Sequence, residues 1–383
     1  ETSEKKKILC NSWTKLMSLR KDNHKEKDNF YMNLALKLAK DRVGLTGINP
    51  SVGCVIVKDN EIISIGQTSP NGRPHAEFNA IKNANKKKLK NSTMYVSLEP
   101  CTHYGKTNPC TDIIIKSQIK KLFYASDDID LRTSKKAKKI LNKAKIKVVK
   151  NFLYKKANKI YNSYFYNRLN NYPYVTGKIA CSKDNFSAHK SKIITNKHSQ
   201  NVSHLLRYKN QGILITSKTC NLDNSRLNCR INGLSNFSPK IFVLDKNLNL
   251  NLNSNIVKNS KNIDTFIFYN VDSKSKKKSL IKAGAKLINI EVDSNDYLNI
   301  YKILKYIKTK GINYLLIEGG YSLTENLLQK GLFNEFYLFK SSLKLSKKGK
   351  NNISSIINTL NNQYKNKTKI NTFLEKDILI NYR

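Results

Sequence analysis

Three short segments hold residue types that can do chemistry together: His75-Ala76-Glu77, Pro100-Cys101 and Pro109-Cys110. One imidazole and two thiolates make three zinc ligands, and a set of three leaves the fourth position open to water. An ion held in that way lowers the pKa of its bound water towards neutrality. Glu77, two residues beyond the histidine, is then placed to shuttle a proton instead of binding metal. Three ligands beside such a carboxylate suit a catalytic site better than a closed structural one. A lone buried cysteine would carry no such meaning; these two acquire it from the order in which they follow the histidine. Cys54, inside an apolar run, reads as core, and His24 has no neighbours in sequence that give it a role.

The elements that must position these residues follow from hydrophobic period and punctuation. Met32, Leu34, Ala35, Leu36, Leu38 and Ala39 predict a helix over Phe30–Ala39. Val52–Val57, a Lys58-Asp59-Asn60 turn and Glu61–Gly66 predict a hairpin. A helix is expected from Ala76 to about Asn85, a strand over Met94–Leu98, and a second helix from Cys110, where proline precedes the first turn. Strands over Leu122–Ala125 and Ile146–Val149, with a lysine-rich helix from Ser134 to Lys143 between them, complete an α/β/α arrangement. Five of the seven prolines lie between residues 50 and 109. Proline stiffens loops, and stiff loops on an α/β scaffold are where a site belongs.

The remaining chain supports a second domain, as 383 residues exceed one ordinary core. Residues 1–27 read as a disordered extension, 28–150 as the zinc domain, 151–172 as a connection and 173–383 as the second domain. Its candidate strands are Val175–Ala180, Gly212–Thr216, Ile241–Leu244, Thr265–Tyr269, Leu287–Ile290, Tyr314–Ile317 and Glu335–Leu338, with helices near 198–209, 298–309 and 322–330. The net charge of +43 arises from 70 basic and 27 acidic residues. Lysine is spread along almost every segment with asparagine, isoleucine and tyrosine, which is not the clustered, arginine-containing patch of a nucleic-acid groove. The charge therefore draws in anionic small molecules but assigns no nucleic-acid partner. No apolar run is long enough to span a bilayer, and seven cysteines without framework spacing read as reduced thiols of a cytoplasmic protein.

The zinc segments resemble those of nucleobase deaminases, whose pattern is H-x-E followed by P-C-x-x-C. Here the second cysteine follows nine residues after the first, and the loop between them is Thr102-His103-Tyr104-Gly105-Lys106-Thr107-Asn108-Pro109. That loop resembles the deaminase domain of the bifunctional deaminase–reductases of riboflavin biosynthesis, P-C-x-H-x-G-[RK]-T-x-P-C. Asn49-Pro50-Ser51-Val52-Gly53 resembles the same family's N-P-x-V-G segment. The resemblance implies a cytidine-deaminase-like three-layer α/β/α domain and a dihydrofolate-reductase-like domain after it. It implies Glu77 as the catalytic residue, His75, Cys101 and Cys110 as zinc ligands, and Asn49, His103 and Lys106 as substrate contacts.

In the second half the resemblance rests on Ser182-Lys183-Asp184, Ser191 to Thr195, Thr216-Ser217-Lys218-Thr219 with Asp223, Leu227 and Arg230, and Ile317-Glu318-Gly319-Gly320. It implies substrate contacts at Ser191, Arg207, Leu227, Arg230 and Glu318, and NADPH contacts at Ala180, Ile193, Thr219, Asp223, Gly319 and Gly320. A Gly-Gly pair between a strand and a helix also lets a phosphate approach free backbone N–H groups. The chain departs from the family pattern at Asn185, Phe186, Ile193, Asn224 and Ser225. The implied activity is hydrolytic deamination of diaminohydroxyphosphoribosylaminopyrimidine, then NADPH-dependent reduction of its ribosyl group to ribityl, in a homo-oligomer. The departures make an active deaminase with a degenerate reductase domain the alternative. More distant alternatives are a nucleic-acid deaminase and a zinc-stabilised binding protein.

Overall fold

A computed structural model describes residues 24–189, 193–271 and 273–383. The chain divides at Arg168–Leu169 into two compact units.

In the first unit, β1 (Gly53–Lys58) and β2 (Glu61–Gln67) form the expected hairpin. Its turn residues Asp59 and Asn60 have φ of 50° and 66°, the left-handed pair that a two-residue turn needs and that these side chains tolerate. β3 (Thr93–Val96) pairs antiparallel with β1, and β4 (Lys121–Tyr124) and β5 (Lys147–Val149) follow in parallel. The sheet order is β2-β1-β3-β4-β5. Among the described residues six α-helices accompany it: α1 (residues 24–41), α2 (Ala76–Asn83), α3 (Lys86–Leu89), α4 (Cys110–Lys116), α5 (Ala137–Lys143) and α6 (Tyr154–Leu169).

Two glycines set how closely helices meet this sheet. A Cβ on Gly53 would lie 2.1 Å from the Ala35 carbonyl oxygen of α1, and one on Gly66 2.1 Å from that of Ala76 in α2. Cys54 pairs with Gly66 and neighbours Gly53, so successive residues point to opposite faces and α1 and α2 cover different sides.

Three differences from the expected elements have physical causes. The helix expected to reach Asn85 ends at Asn83, because Asn85 instead caps α3 by accepting from the Lys87 N–H at 3.0 Å. The helix expected from Ser134 begins at Ala137, its preceding turn being held by the Glu99 carboxylate. Residues 151–172, read as a connection, contain α6, whose Ala157, Tyr161 and Tyr164 belong to the first unit's core. Of residues 1–27, only 24–27 fall within the described residues, and they open α1.

The second unit holds a nine-stranded sheet. Its strands are β6 (Tyr174–Cys181), β8 (Gly212–Thr216), β9 (Lys240–Leu244), β10 (Thr265–Tyr269), β11 (Lys286–Asn289), β12 (Tyr314–Ile317), β13 (Glu335–Lys340), β15 (Lys367–Lys369) and β16 (Ile378–Tyr382). A separate pair joins β7 (Phe186–Ala188) to β14 (Lys350–Asn352). In the order β11-β10-β9-β8-β12-β6-β13-β16-β15 every pairing is parallel except β13–β16 and β16–β15, so β16 alone runs against the other strands.

Alternate residues divide between two cores. Leu214, Phe242, Phe266 and Phe268 enter one, while Ile213, Ile215, Ile241, Val243 and Ile267 enter the other. Helices cover both faces, as a parallel sheet requires. α11 (Ile300–Thr309), α12 (Tyr321–Gln329) and α13 (Ser354–Gln363) bury residues in the first of these cores. α8 (Ser217–Asp223), α9 (Asn255–Lys258) and α10 (Lys274–Lys282) bury residues in the second. The remaining helix, α7 (Lys197–Tyr208), carries Arg207.

Replacing Gly53 by alanine should force α1 off the sheet and destabilise the protein by about 1–3 kcal/mol. Thermal unfolding measures this, and an unchanged transition would contradict the close approach of α1.

Candidate functional site

The first site forms where loops and helix starts of the first unit converge. His75 immediately precedes α2, Cys110 is the first residue of α4, and Cys101 lies five residues beyond the end of β3. Their ligand atoms all lie within 4.8 Å of one another. His75 Nδ1 faces both sulfurs, at 3.3 Å from Cys110 Sγ and 3.5 Å from Cys101 Sγ. Zinc bonded to nitrogen and sulfur at ordinary lengths would set tetrahedral edges of about 3.5 Å, so these donors fit that ion in type and spacing.

The electrostatics point the same way. Glu77 is buried, at 3% exposure. Burial pushes its carboxyl up to about 7, against the pull of His75 and with added repulsion from Cys101. The Cys101 thiol is drawn down to about 4, first by its hydrogen bond with Cys110, against burial. The same bond and burial push the Cys110 thiol up. Burial acts to lower the His75 pKa, but the bond to Cys101 and the charge of Glu77 outweigh it and raise the value. A divalent cation among these atoms neutralises negative charges that otherwise repel one another away from water.

The expected substrate contacts surround this cluster in different ways. Asn49 donates from Nδ2 to the Gly72 carbonyl at 2.9 Å, which ties its loop to the turn just before Pro74 and His75. His103 is half-buried, with Nδ1 3.0 Å from Thr133 Oγ1. Lys106 is exposed at the tip of the cysteine loop. Arg73 bonds Thr107 of that loop and lies close enough to oppose protonation of His75, and Tyr104 donates to Asp112 at 2.8 Å. Behind the site, Tyr161 OH lies 2.6 Å from Ser97 Oγ, which accepts from the Gly53 N–H at 2.9 Å. Neither Arg73 nor Tyr161 stood out in the sequence, where no motif marks them.

The second site is a cavity of about 250 Å³ lined by Lys178, Ile193, Thr195, His204, Arg207, Thr219, Asp223, Leu227, Arg230 and Glu318, among others. Glu318 follows β12, and Arg207 of α7 grips its carboxylate with two bonds, at 2.7 and 2.9 Å. Lys178 Nζ of β6 lies 4.0 Å away. Burial alone would raise the Glu318 pKa; the charges of Arg207 and Lys178 overcome it and hold the group down to about 2. Burial lowers the pKa of Lys178 and raises that of Asp223. His204 Nδ1 lies 3.2 Å from the Asn228 carbonyl and 3.4 Å from the Arg230 N–H, pinning the loop that carries Arg230. A neighbouring pocket of about 350 Å³ adds Arg226 and Asn255 to Arg207, Asp223 and Arg230.

Gly319 and Gly320 precede α12, whose first turn has no side-chain capping bond. A Cβ on Gly320 would come within 3.3 Å of Thr219 Oγ1, so the expected cofactor residues Thr219 and Gly320 are neighbours. Free N–H groups at a helix start of this kind fit a dinucleotide phosphate. Ala180 is half-buried on β6, packed against the core that includes Phe339. Ile193 is 74% exposed at the pocket rim, and Ser191 lies outside the described residues.

The positions that depart from the family pattern have structural occupations. Asn185 holds φ of 65° in its turn, a conformation glycine and asparagine share. Phe186 packs on Gly349. Asn224 ends α8 in the left-handed conformation, accepting from the Asn255 N–H at 2.8 Å. Lys178 is the residue sequence reading missed. Its signal was the single charge within a largely apolar strand, obscured by the abundance of lysine elsewhere.

Residues 25–126 match the cytidine and deoxycytidylate deaminase zinc-binding region, and residues 173–364 match the RibD C-terminal domain. The riboflavin biosynthesis protein RibD of Aquifex aeolicus (strain VF5) is 34% identical over 318 residues, covering 82% of this chain and 87% of that protein. The protein of the same name from Bacillus amyloliquefaciens is 33% identical over 316 residues, covering 82% and 84%. Among solved structures, Acinetobacter baumannii RibD (form 1) is similar with a TM-score of 0.79 at 28% identity, covering 94% of this chain and 99% of that one. A diaminohydroxyphosphoribosylaminopyrimidine deaminase/5-amino-6-(5-phosphoribosylamino)uracil reductase from Thermotoga maritima gives 0.77 at 27% identity, with the same coverage.

Replacing Cys110 by serine should reduce bound zinc from about one ion per chain to a small fraction, since a hydroxyl is a far poorer ligand than a thiolate. Elemental analysis of the purified chain reads this directly. Full zinc retention would remove Cys110 from the ligand set.

Proposed function

Because the chain belongs to the RibD family, and is a riboflavin-biosynthesis protein with deaminase and reductase activities, we propose that its two units act in order on one nucleotide. The substrate is diaminohydroxyphosphoribosylaminopyrimidine, whose ring amine is hydrolysed before its ribosyl group is reduced. The observation that carries the first half is the convergence of His75, Cys101 and Cys110 around the buried Glu77.

His75, Cys101 and Cys110 hold the zinc, which when bound supplies the positive charge that acidifies water. Glu77, whose carboxyl burial brings to about 7, takes a proton from water and gives it to the departing amine. Water adds its oxygen to the ring carbon, the carbon–nitrogen bond breaks, and ammonia leaves. Asn49, His103 and Lys106 orient the ribosyl phosphate, with the exposed Lys106 meeting its charge.

In the second unit Arg207 and Arg230 bind the substrate, and Leu227 lines the pocket. Ser191 is retained among the substrate contacts on the family resemblance. NADPH, when bound, supplies a hydride to the sugar C1. Gly319, Gly320, Thr219, Ala180, Ile193 and Asp223 are the residues that would hold it. Reduction breaks the bond from C1 to the ring oxygen, and that oxygen must gain a proton. Lys178 faces the pocket with its charge balanced by Glu318, so it is placed to hold and deliver that proton. A degenerate reductase domain is disfavoured by the intact set of Lys178, Arg207, Asp223, Arg230 and Glu318 around one cavity.

The domain division follows the motifs: deaminase over about residues 28–150, the α6 segment within 151–172, and reductase over 173–383. The six described cysteines form no disulfide, which supports a reducing, cytoplasmic setting. No helix among the described residues is long and apolar enough to cross a membrane. A homo-oligomer is the assembly proposed.

Glu77→Gln should lower deamination at least about a hundredfold while the chain still reduces the deaminated nucleotide. Lys178→Met should do the converse, sparing deamination. Steady-state assays of each step in each variant decide this. Loss of both steps in either variant, or of neither, would contradict the division of labour.

A further inference from the structure

Glu99 lies between β3 and the ligand Cys101, with 3% of its surface exposed. Its carboxylate accepts three backbone N–H groups from one distant loop. Oε2 takes those of Asp128 at 3.2 Å and Lys135 at 2.9 Å, and Oε1 takes that of Ala137 at 3.0 Å. The Glu99 N–H itself donates to the Ser126 carbonyl at 2.9 Å. One side chain therefore closes the segment 128–137 into a fixed loop.

That loop meets the cysteine loop at Thr133, which is fully buried. Thr133 Oγ1 lies 3.0 Å from His103 Nδ1 and 3.5 Å from the Thr102 N–H, while Thr102 Oγ1 donates to the Arg132 carbonyl at 3.1 Å. The far side of the loop is braced separately. Tyr164 OH donates to Asp128 Oδ1 at 3.1 Å, and Arg132 and Arg168 both bond Asp130. Nothing in the zinc cluster bonds Glu99, so its carboxylate serves the loop and not the metal.

We propose that Glu99 is a positioning residue of the deaminase site, fixing the 128–137 loop so that Thr133 holds His103 in the orientation that receives substrate. A buried carboxylate that satisfies three amides holds them more firmly than a neutral acceptor does. Loss of the charge loosens the loop, His103 loses its fixed partner, and substrate binding weakens while proton transfer at Glu77 is preserved. This inference rests on the reading of His103 as a substrate contact.

The test compares the zinc-loaded full chain with E99Q, T133V, E99Q/T133V and H103A, assayed with diaminohydroxyphosphoribosylaminopyrimidine. Zinc content and reductase activity of the same preparations verify folding. In E99Q, KM should rise about tenfold with kcat changed by no more than about twofold, and amide hydrogen exchange should quicken at Asp128, Lys135 and Ala137. T133V should raise KM in the same direction, and the double variant should add nothing beyond the larger single effect. Wild-type KM and exchange in E99Q, or multiplied effects in the double variant, would overturn the proposal. Should E99Q fail to fold, T133V decides alone: a wild-type KM there overturns it. An unchanged KM in H103A sinks the His103 reading itself, whereas a raised KM in H103A with none in E99Q sinks only the role of Glu99.

Discussion

Three ligand atoms from chain positions 75, 101 and 110 must come within 4.8 Å of one another, and the first unit is organised around that demand. Each ligand sits at or close to the end of a regular element, where the backbone turns and a side chain can point into shared space. Two of them stand at helix starts, so the sheet and helices fix their spacing. Gly53 and Gly66 let α1 and α2 lie directly on the hairpin, which brings His75 and Glu77 to the cysteines that follow the central strand β3. The cost of gathering thiols, an imidazole and a carboxylate out of water is high unless a cation joins them. Chemistry and folding therefore ask for the same ion.

The second unit meets a similar demand with side chains of its own. The Glu318 side chain, only 11% exposed, lines a cavity, and two cations from separate elements, Arg207 on α7 and Lys178 on β6, keep it ionised. β6 and β12 are neighbours in the sheet, so Lys178 and Glu318 arrive on adjacent strands while the arginine closes over them from a helix. The same arginine is near enough to Arg230 to depress its pKa, after burial. A pocket with surplus positive charge at its mouth and a balanced charge pair inside suits a phosphorylated sugar.

Legibility in the sequence followed locality. The cluster of His75, Cys101 and Cys110 beside Glu77 was readable because its spacing is a property of adjacent segments, and most strands of both sheets because their apolar runs are bounded by turns; β16, of sequence ILINY, was not read. α6 was read as a connection because tyrosine and asparagine dominate its composition and hide which face is buried. β14 and β15, of sequence KNN and KTK, contain no apolar residue, so no hydrophobic period can reveal them. α10, KSKKKSLIK, buries one residue, Leu280. Lys178 was lost among many lysines, although it is the one charged residue of β6. The bonds made by Glu99 reach a loop about thirty residues onward, and only folding brings those amides to it. Local patterns thus disclosed the chemistry, whereas long-range contacts disclosed what holds it in place.

The central claim is that one chain carries both reactions in a fixed order. The direct measurement is mass-spectrometric analysis of products from the zinc-loaded protein and diaminohydroxyphosphoribosylaminopyrimidine, with and without NADPH. The account predicts the deaminated ribosyl compound without NADPH and the deaminated ribityl compound with it. Deamination unaffected by NADPH would contradict an active second unit, and unchanged substrate in both reactions would contradict the assignment of the zinc site.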